Sequence, residues 1–98
     1  MAVGDTYLVG LTSVAAAASL TIQPSGTIEA VIHNLHTPEG TSWELYATDG
    51  TNPQKIDHDA AVGRYNLQLH VTNAQYYTLK NTSASTIYFR VDGIILHA

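Results

Sequence analysis

The chain has no cysteine, which excludes disulfides, thiolate nucleophiles and the stapled scaffolds of small secreted domains. Charge is also scarce. Charged residues make up 12% of the 98 positions, against about 25% in an average domain, so neutral polar groups and other subunits must cover much of the surface. Eight acids against four bases give a formal net charge of −4, which opposes nucleic-acid phosphates and anionic membranes as partners. The four bases, Lys55, Arg64, Lys80 and Arg90, are scattered and form no basic stripe. An apolar run of the roughly 20 residues needed to span a membrane is missing. The alanine-rich stretch after Leu11 has no basic start and follows Asp5, so it does not read as a signal peptide. These absences describe a soluble chain without a targeting segment.

What is present is alternation. From Thr41 onward the dominant period is two, as a strand with one dry and one wet face requires. Tyr65, Leu67, Leu69 and Val71 alternate with Asn66, Gln68, His70 and Thr72, giving the clearest strand in the sequence, Arg64 to Thr72. Trp43, Leu45 and Ala47 alternate with Glu44, Tyr46 and Thr48, which places Trp43 in the core, and Tyr77 and Leu79 alternate with Tyr76, Thr78 and Lys80. Ile87, Phe89 and Val91 share one face, but Ile94 and Leu96 have the opposite parity. A one-residue bulge at Gly93 would return them to the core face. Thr6 to Thr12, Ser19 to Gln23 and Thr27 to Leu35 carry apolar residues on both parities, the pattern of strands buried on both faces or facing a subunit interface. Tyr7, Val9 and Leu11 are therefore candidate interface contacts.

Turn-forming clusters separate these segments: Pro24 to Gly26, Thr37 to Gly40, Asp49 to Pro53, Asp59 to Gly63, Asn73-Ala74 and Asn81 to Ser85. Ala15 to Ala18 is too short for a stable isolated helix and is expected to turn. Short strands at this spacing predict an all-β fold: one domain over residues 1–98, an antiparallel β-sandwich of jelly-roll-like form, with an immunoglobulin-like strand order fitting the same strand count.

No catalytic or cofactor motif emerges, and no enzyme activity, cofactor or metal is expected. His33 and His36, with His58 and His70, are the residues from which a zinc site would be assembled, but a spacing of three sends two side chains to opposite faces of a strand unless the strand breaks between them. A variant of such a metal site is a histidine such as His97 meeting its own copies on an oligomer axis, which the sequence neither supports nor excludes. Asp57-His58-Asp59, Asp49 and Asp92 offer oxygens to calcium, yet the Asp-Gly pairs at 49-50 and 92-93 are ordinary turn or bulge chemistry. The serines lack a nucleophile elbow or triad signature. Tyr46, Tyr76 and Tyr88 fall on outer faces, where aromatics stack on sugars, anchor protein partners or pair across strands. Asn81-Thr82-Ser83 fits a glycosylation sequon and fits a hairpin loop equally well.

The run from Leu20 to Gly26 leading into Glu29 to Leu35, then Glu44 to Asn52, His70 to Asn73, Tyr77 to Ser83 and the closing Asp92-Gly93 resembles small β-domain structural proteins of tailed bacteriophages, of the capsid decoration (cement) or short fibre type. The resemblance implies a virion component assembled in the bacterial host cytoplasm, a homo-oligomer with a trimer as the expected state, and the major capsid protein or another virion protein as partner. It carries over no catalytic residues. The alternative is a carbohydrate- or receptor-binding domain of a head or tail fibre.

Overall fold

The computed structural model describes residues 2–38, 40–60 and 63–98; Glu39 and the pair Ala61-Val62, which fall in two of the expected turns, lie outside them. Among the described residues eight strands follow one another: β1 (Thr6–Val14), β2 (Ser19–Ile22), β3 (Glu29–His36), β4 (Trp43–Thr48), β5 (Gln54–Asp59), β6 (Leu69–Val71), β7 (Tyr76–Asn81) and β8 (Ile87–His97). They form two four-stranded antiparallel sheets, ordered β1-β8-β3-β6 and β2-β7-β4-β5. First pairs with last, second with seventh, third with sixth and fourth with fifth. Successive pairs alternate between the layers, as when a long hairpin is rolled over on itself. The molecule is an all-β, two-layered antiparallel sandwich.

One core fills the space between the sheets. Ile32, Leu35, Phe89, Val91, Ile95 and Val71 enter it from the first sheet, and Ile22, Trp43, Leu45 and Leu79 from the second, all at most 2% exposed. Fully burying such a side chain contributes about 1.5–3 kcal/mol, so these positions dominate the stability of the domain.

The expected alternation appears in β4, where Trp43 and Leu45 are buried and Glu44 and Tyr46 half-buried. The Ala15 to Ala18 segment turns, closed by the Ala18 amide donating to the Ala15 carbonyl at 3.0 Å. Three expectations are corrected. The segment Arg64 to Thr72 is a strand only over Leu69–Val71. Asn66 takes a left-handed φ of 58°, which breaks the extended run, while Arg64 makes an isolated bridge to Leu35. The strand β5 was not foreseen because none of its side chains is fully buried, so it has no apolar face for a period to reveal.

The third correction concerns Gly93. β8 keeps a single parity through it, with Ile87, Phe89, Val91, Gly93 and Ile95 inside and Tyr88, Arg90, Asp92, Ile94 and Leu96 outside. The irregularity lies on the neighbouring strand: Ile32 faces Gly93 and Asn34 faces Asp92, leaving His33 as the extra residue of β3. β8 gains its own extra residue further on, where Glu29 and Ala30 face His97 and Ile95. What position 93 requires is space. A Cβ there would sit 1.8 Å from the Val31 carbonyl oxygen.

A bulge also explains the mixed parity of β1. Val9 faces Val91 and Thr12 faces Phe89, so three steps along β1 match two along β8. Tyr7 and Val14 thereby point to the same core, although they differ in parity.

Asn81 ties the two layers together. Its side chain is fully buried; Nδ2 donates to the Val14 carbonyl at 2.9 Å and the Ser85 carbonyl at 2.7 Å. Its Oδ1 accepts from the Ser83 amide at 2.9 Å and the Ser83 hydroxyl at 2.6 Å. The amide nitrogen that a glycan would need is thus committed inside the fold.

Candidate interaction surface

The two sheets present different outer faces. On the β2-β7-β4-β5 sheet the exposed side is polar: Glu44 faces Lys80 on one neighbour and His58 on the other, and Tyr46 faces Thr78 and Lys55. Tyr46 donates its hydroxyl to Glu44 Oε1 at 2.6 Å, and Lys55 Nζ donates to Oε2 at 3.0 Å. These two bonds, Tyr46 first, hold the Glu44 carboxyl below its ordinary range, and the same bond raises the Tyr46 hydroxyl. Solvent suits such a face.

The outer side of the β1-β8-β3-β6 sheet is built otherwise. Along β8, Tyr88 is 52% exposed, Ile94 42% and Leu96 47%, and β1 adds Leu8 and Leu11. Register places Ile94 between Thr6 and Val31, and Tyr88 beside Ser13. Two apolar shoulders result, one around Leu8, Ile94 and Leu96, the other around Leu11 and Tyr88.

A polar knot lies between the shoulders. Asp92 accepts from Asn34 Nδ2 at 2.7 Å, meets His36 Nε2 at 2.9 Å and lies 3.2 Å from Arg90 Nη1. Tyr65 meets His36 edge-on, ring centroids 5.4 Å apart. Burial acts to raise the Asp92 carboxyl, but the hydrogen bonds from Asn34 and His36 and the attraction of His36 and Arg90 outweigh it and hold it below the ordinary 3.8. A depressed carboxyl contributes stability that is present above its unfolded pKa and lost as pH falls through the folded value. Urea midpoints should therefore show wild type more stable than Asp92→Asn at pH 4.5, with the gap shrinking by pH 2.5; a gap of constant size would show that Asp92 does not titrate with folding.

This knot assembles residues from β3 and β8 far apart in the chain. The β3 bulge meets the condition under which His33 and His36 can share a face, yet they take separate partners: His33 Nδ1 lies 3.0 Å from the Leu67 carbonyl, His36 from Asp92 as above. His70 lies 3.5 Å from Glu29, His97 3.4 Å from the Thr27 carbonyl, and His58 is exposed. Among the described residues no three His, Asp or Glu side chains gather as a metal site.

The acids considered for calcium have other occupations. Asp57 and Asp59 both receive Arg64, at 3.1 and 2.8 Å, and Arg64 lies over the Trp43 ring at 5.1 Å. Asp49 Oδ1 accepts from the Thr51 and Asn52 amides at 2.9 and 2.8 Å, closing the turn between β4 and β5. Asp92-Gly93 lies within β8 and forms no turn. A surface depression of about 500 Å³ is lined by Trp43, Glu44, His58 and Asp59 among others, but Trp43 itself is 1% exposed and offers no ring for a ligand to stack on.

Of the residues singled out in the sequence, Tyr7 belongs to the core at 6% exposure, and Val9 and Tyr76 pack against that core half-buried. Tyr46 is half-buried on the polar sheet. Leu11 and Tyr88 stand free, the first 69% exposed. The sequence reading missed Leu8, Ile94 and Leu96: the parity of Ile94 and Leu96 marks them as outward-facing only if β8 runs straight, and Leu8 is placed outward by its register opposite Asp92.

No helix among the described residues is long and apolar enough to cross a membrane. No protein-family profile matches the chain, and no curated protein matches it significantly.

Proposed function

We propose that the protein is a non-enzymatic assembly subunit that docks through the outer face of the β1-β8-β3-β6 sheet, and that it serves as a decoration (cement) protein of a phage head. The contrast between the outer faces carries this reading: one sheet turns ion pairs and hydroxyls to solvent, the other turns Leu8, Leu11, Tyr88, Ile94 and Leu96 outward. Protein interfaces combine apolar and aromatic anchors with few isolated charges. Of the charges on this face, Arg90 and Asp92 already satisfy each other and Glu29 lies at its margin, 3.5 Å from His70, so covering the central pair leaves neither of its ions unpaired. The rolled order of the strands supports a jelly-roll reading of the sandwich. Sugar binding has less support, because Tyr46 is engaged with Glu44 and Trp43 is buried.

Such a subunit acts by mass action, binding the assembled shell in preference to its separated parts and so shifting the equilibrium toward the shell. The major capsid protein is the proposed partner. Co-sedimentation with empty heads of a tailed phage that encodes the chain should saturate, and Tyr88→Ala combined with Ile94→Asp should weaken it at least tenfold, since truncating a central aromatic anchor alone typically costs about 1–2 kcal/mol or more. Wild-type protein that stays in the supernatant at every concentration would remove the cement reading.

A further inference from the structure

The polar knot lies between the two apolar shoulders, where a docked partner must cross it, so its net charge bears on docking. Two contacts meet at one of its atoms: His36 Nε2 lies 2.9 Å from Asp92 Oδ2 and 3.3 Å from Arg90 Nη1. A ring nitrogen cannot donate to the first and accept from the second at once. The shorter contact, to a carboxylate, requires a proton on Nε2, and Arg90 then pairs with Asp92 Oδ2, 3.2 Å away. In the neutral ring the lone pair is therefore on Nδ1. A further proton goes there and leaves the bond to Asp92 in place.

The charge of the knot follows from this. With His36 neutral, Arg90 and Asp92 cancel. Burial opposes ionisation of Asp92, but Asn34, His36 and Arg90 outweigh it and hold the carboxyl below its ordinary 3.8. Asp92 thus stays ionised through the range of about pH 5 to 8 in which an ordinary imidazole changes charge. Nothing else facing the ring compensates a second positive charge. Asn34 stands beside it on β3, and Tyr65 meets it edge-on from the segment after Gly63. Arg64, in that same segment, turns its guanidinium to Asp57 and Asp59 on the other sheet. β1, on the far side of β8, carries no charged residue from Thr6 to Val14.

We propose that protonation of His36 releases the docking face: a partner covers the knot while it is neutral, and the cationic knot resists being covered. Taking an unbalanced charge out of water is strongly unfavourable, and the shoulders on either side fit an apolar cover that offers it no counter-charge. The proposal rests on the docking reading and adds its regulation, a weakening of docking toward acid pH by one proton per subunit.

Co-sedimentation with the same empty heads at about pH 8 and about pH 5.5 tests it, because ordinary histidines change state between these values. Wild-type affinity should fall at least about tenfold, the effect of excluding one proton over a single pH unit. His36→Gln keeps a nitrogen donor for Asp92 and takes up no proton, so its affinity should change less than about threefold over the same interval. That comparison also removes any titration of the heads themselves. His70→Gln, at the margin beside Glu29, should retain the wild-type ratio. Asp92→Asn makes the knot cationic throughout and should dock at the higher pH as weakly as the wild type does at the lower one. Equal or tighter wild-type docking at the lower pH, an Asp92→Asn variant that docks as well as wild type, or a His36→Gln variant as pH-dependent as wild type would overturn the switch and leave docking intact. Wild-type protein that ignores heads at both values would overturn the docking reading, and the switch with it.

Discussion

Gly93→Ala is expected to abolish the folded state or to lower its stability by more than about 4 kcal/mol, the range reserved for a few severe mechanisms. The added Cβ would lie 1.8 Å from the Val31 carbonyl oxygen, 2.8 Å from its carbon and 2.9 Å from Ile32 Cα. All three are backbone atoms of β3, so no rotamer change relieves the overlap. The strands must separate where Ile32 and Gly93 face each other, at the centre of the core. Net stability of a domain this size is about 5–15 kcal/mol, so the loss takes from about a quarter to most of it. Gly10→Ala is the control: nothing lies within 4 Å of its added Cβ, and the change should stay within about 1 kcal/mol. Soluble yield and urea unfolding measure both, and a wild-type midpoint for Gly93→Ala would show that β3 and β8 are not in close contact there.

Asn81→Ala should lower the melting temperature by roughly 10 °C or more. The substitution removes the donor for the Val14 and Ser85 carbonyls and the acceptor for the Ser83 amide. Each buried group left unsatisfied costs about 1–3 kcal/mol, and each kcal/mol shifts the midpoint of a domain this size by about 4–8 °C. Asn81→Asp should be no better, since it turns a carboxylate oxygen toward two carbonyl oxygens. Thr82→Ala, at the exposed neighbour, should change little, because the bond from Thr82 to the Ser42 carbonyl uses its backbone amide. Calorimetry that placed Asn81→Ala within 2 or 3 degrees of wild type, well short of roughly 10, would mean that water replaces the amide without cost.

Alternation made much of the fold legible. Trp43 and Leu45 inside β4, and Leu79 inside β7, follow from period two, because each strand has one face on the core. The same rule failed where pairing geometry intervened. Arg64 to Thr72 has the strongest alternation in the chain, yet Asn66 interrupts it and Tyr65 leaves the core to meet His36. β5 has almost no alternation and is a strand because β4 supplies its hydrogen bonds. The bulges at His33 and after Val9 shift the phase of one strand against its neighbour, and a single strand's pattern does not reveal its partner's register.

The candidate surface was harder to read than the fold. Leu11 and Tyr88, expected as interface or ligand contacts, are exposed, whereas Ile94 and Leu96 are exposed despite the expectation that a bulge at Gly93 turns them to the core. The knot of Asn34, His36, Arg90 and Asp92 depends on the β3–β8 register, which brings His36 opposite Arg90. Strand order is likewise set by connections that leave no period in the sequence.

The rolled order also decides when each strand can fold. On the ribosome β1 emerges before the other seven strands of the sandwich, yet its partner β8 is made after all of them: Thr6 must wait for Ile94, and Tyr7 for Gly93. At bacterial-to-eukaryotic translation speeds the interval is roughly 4–18 s, far longer than local hairpins need to form. During it the apolar, uncharged N-terminal strand is available to chaperones, to other nascent chains or to its own copies. The sandwich can close only after β8 has been made, so the earliest of its strands is among the last to find its place.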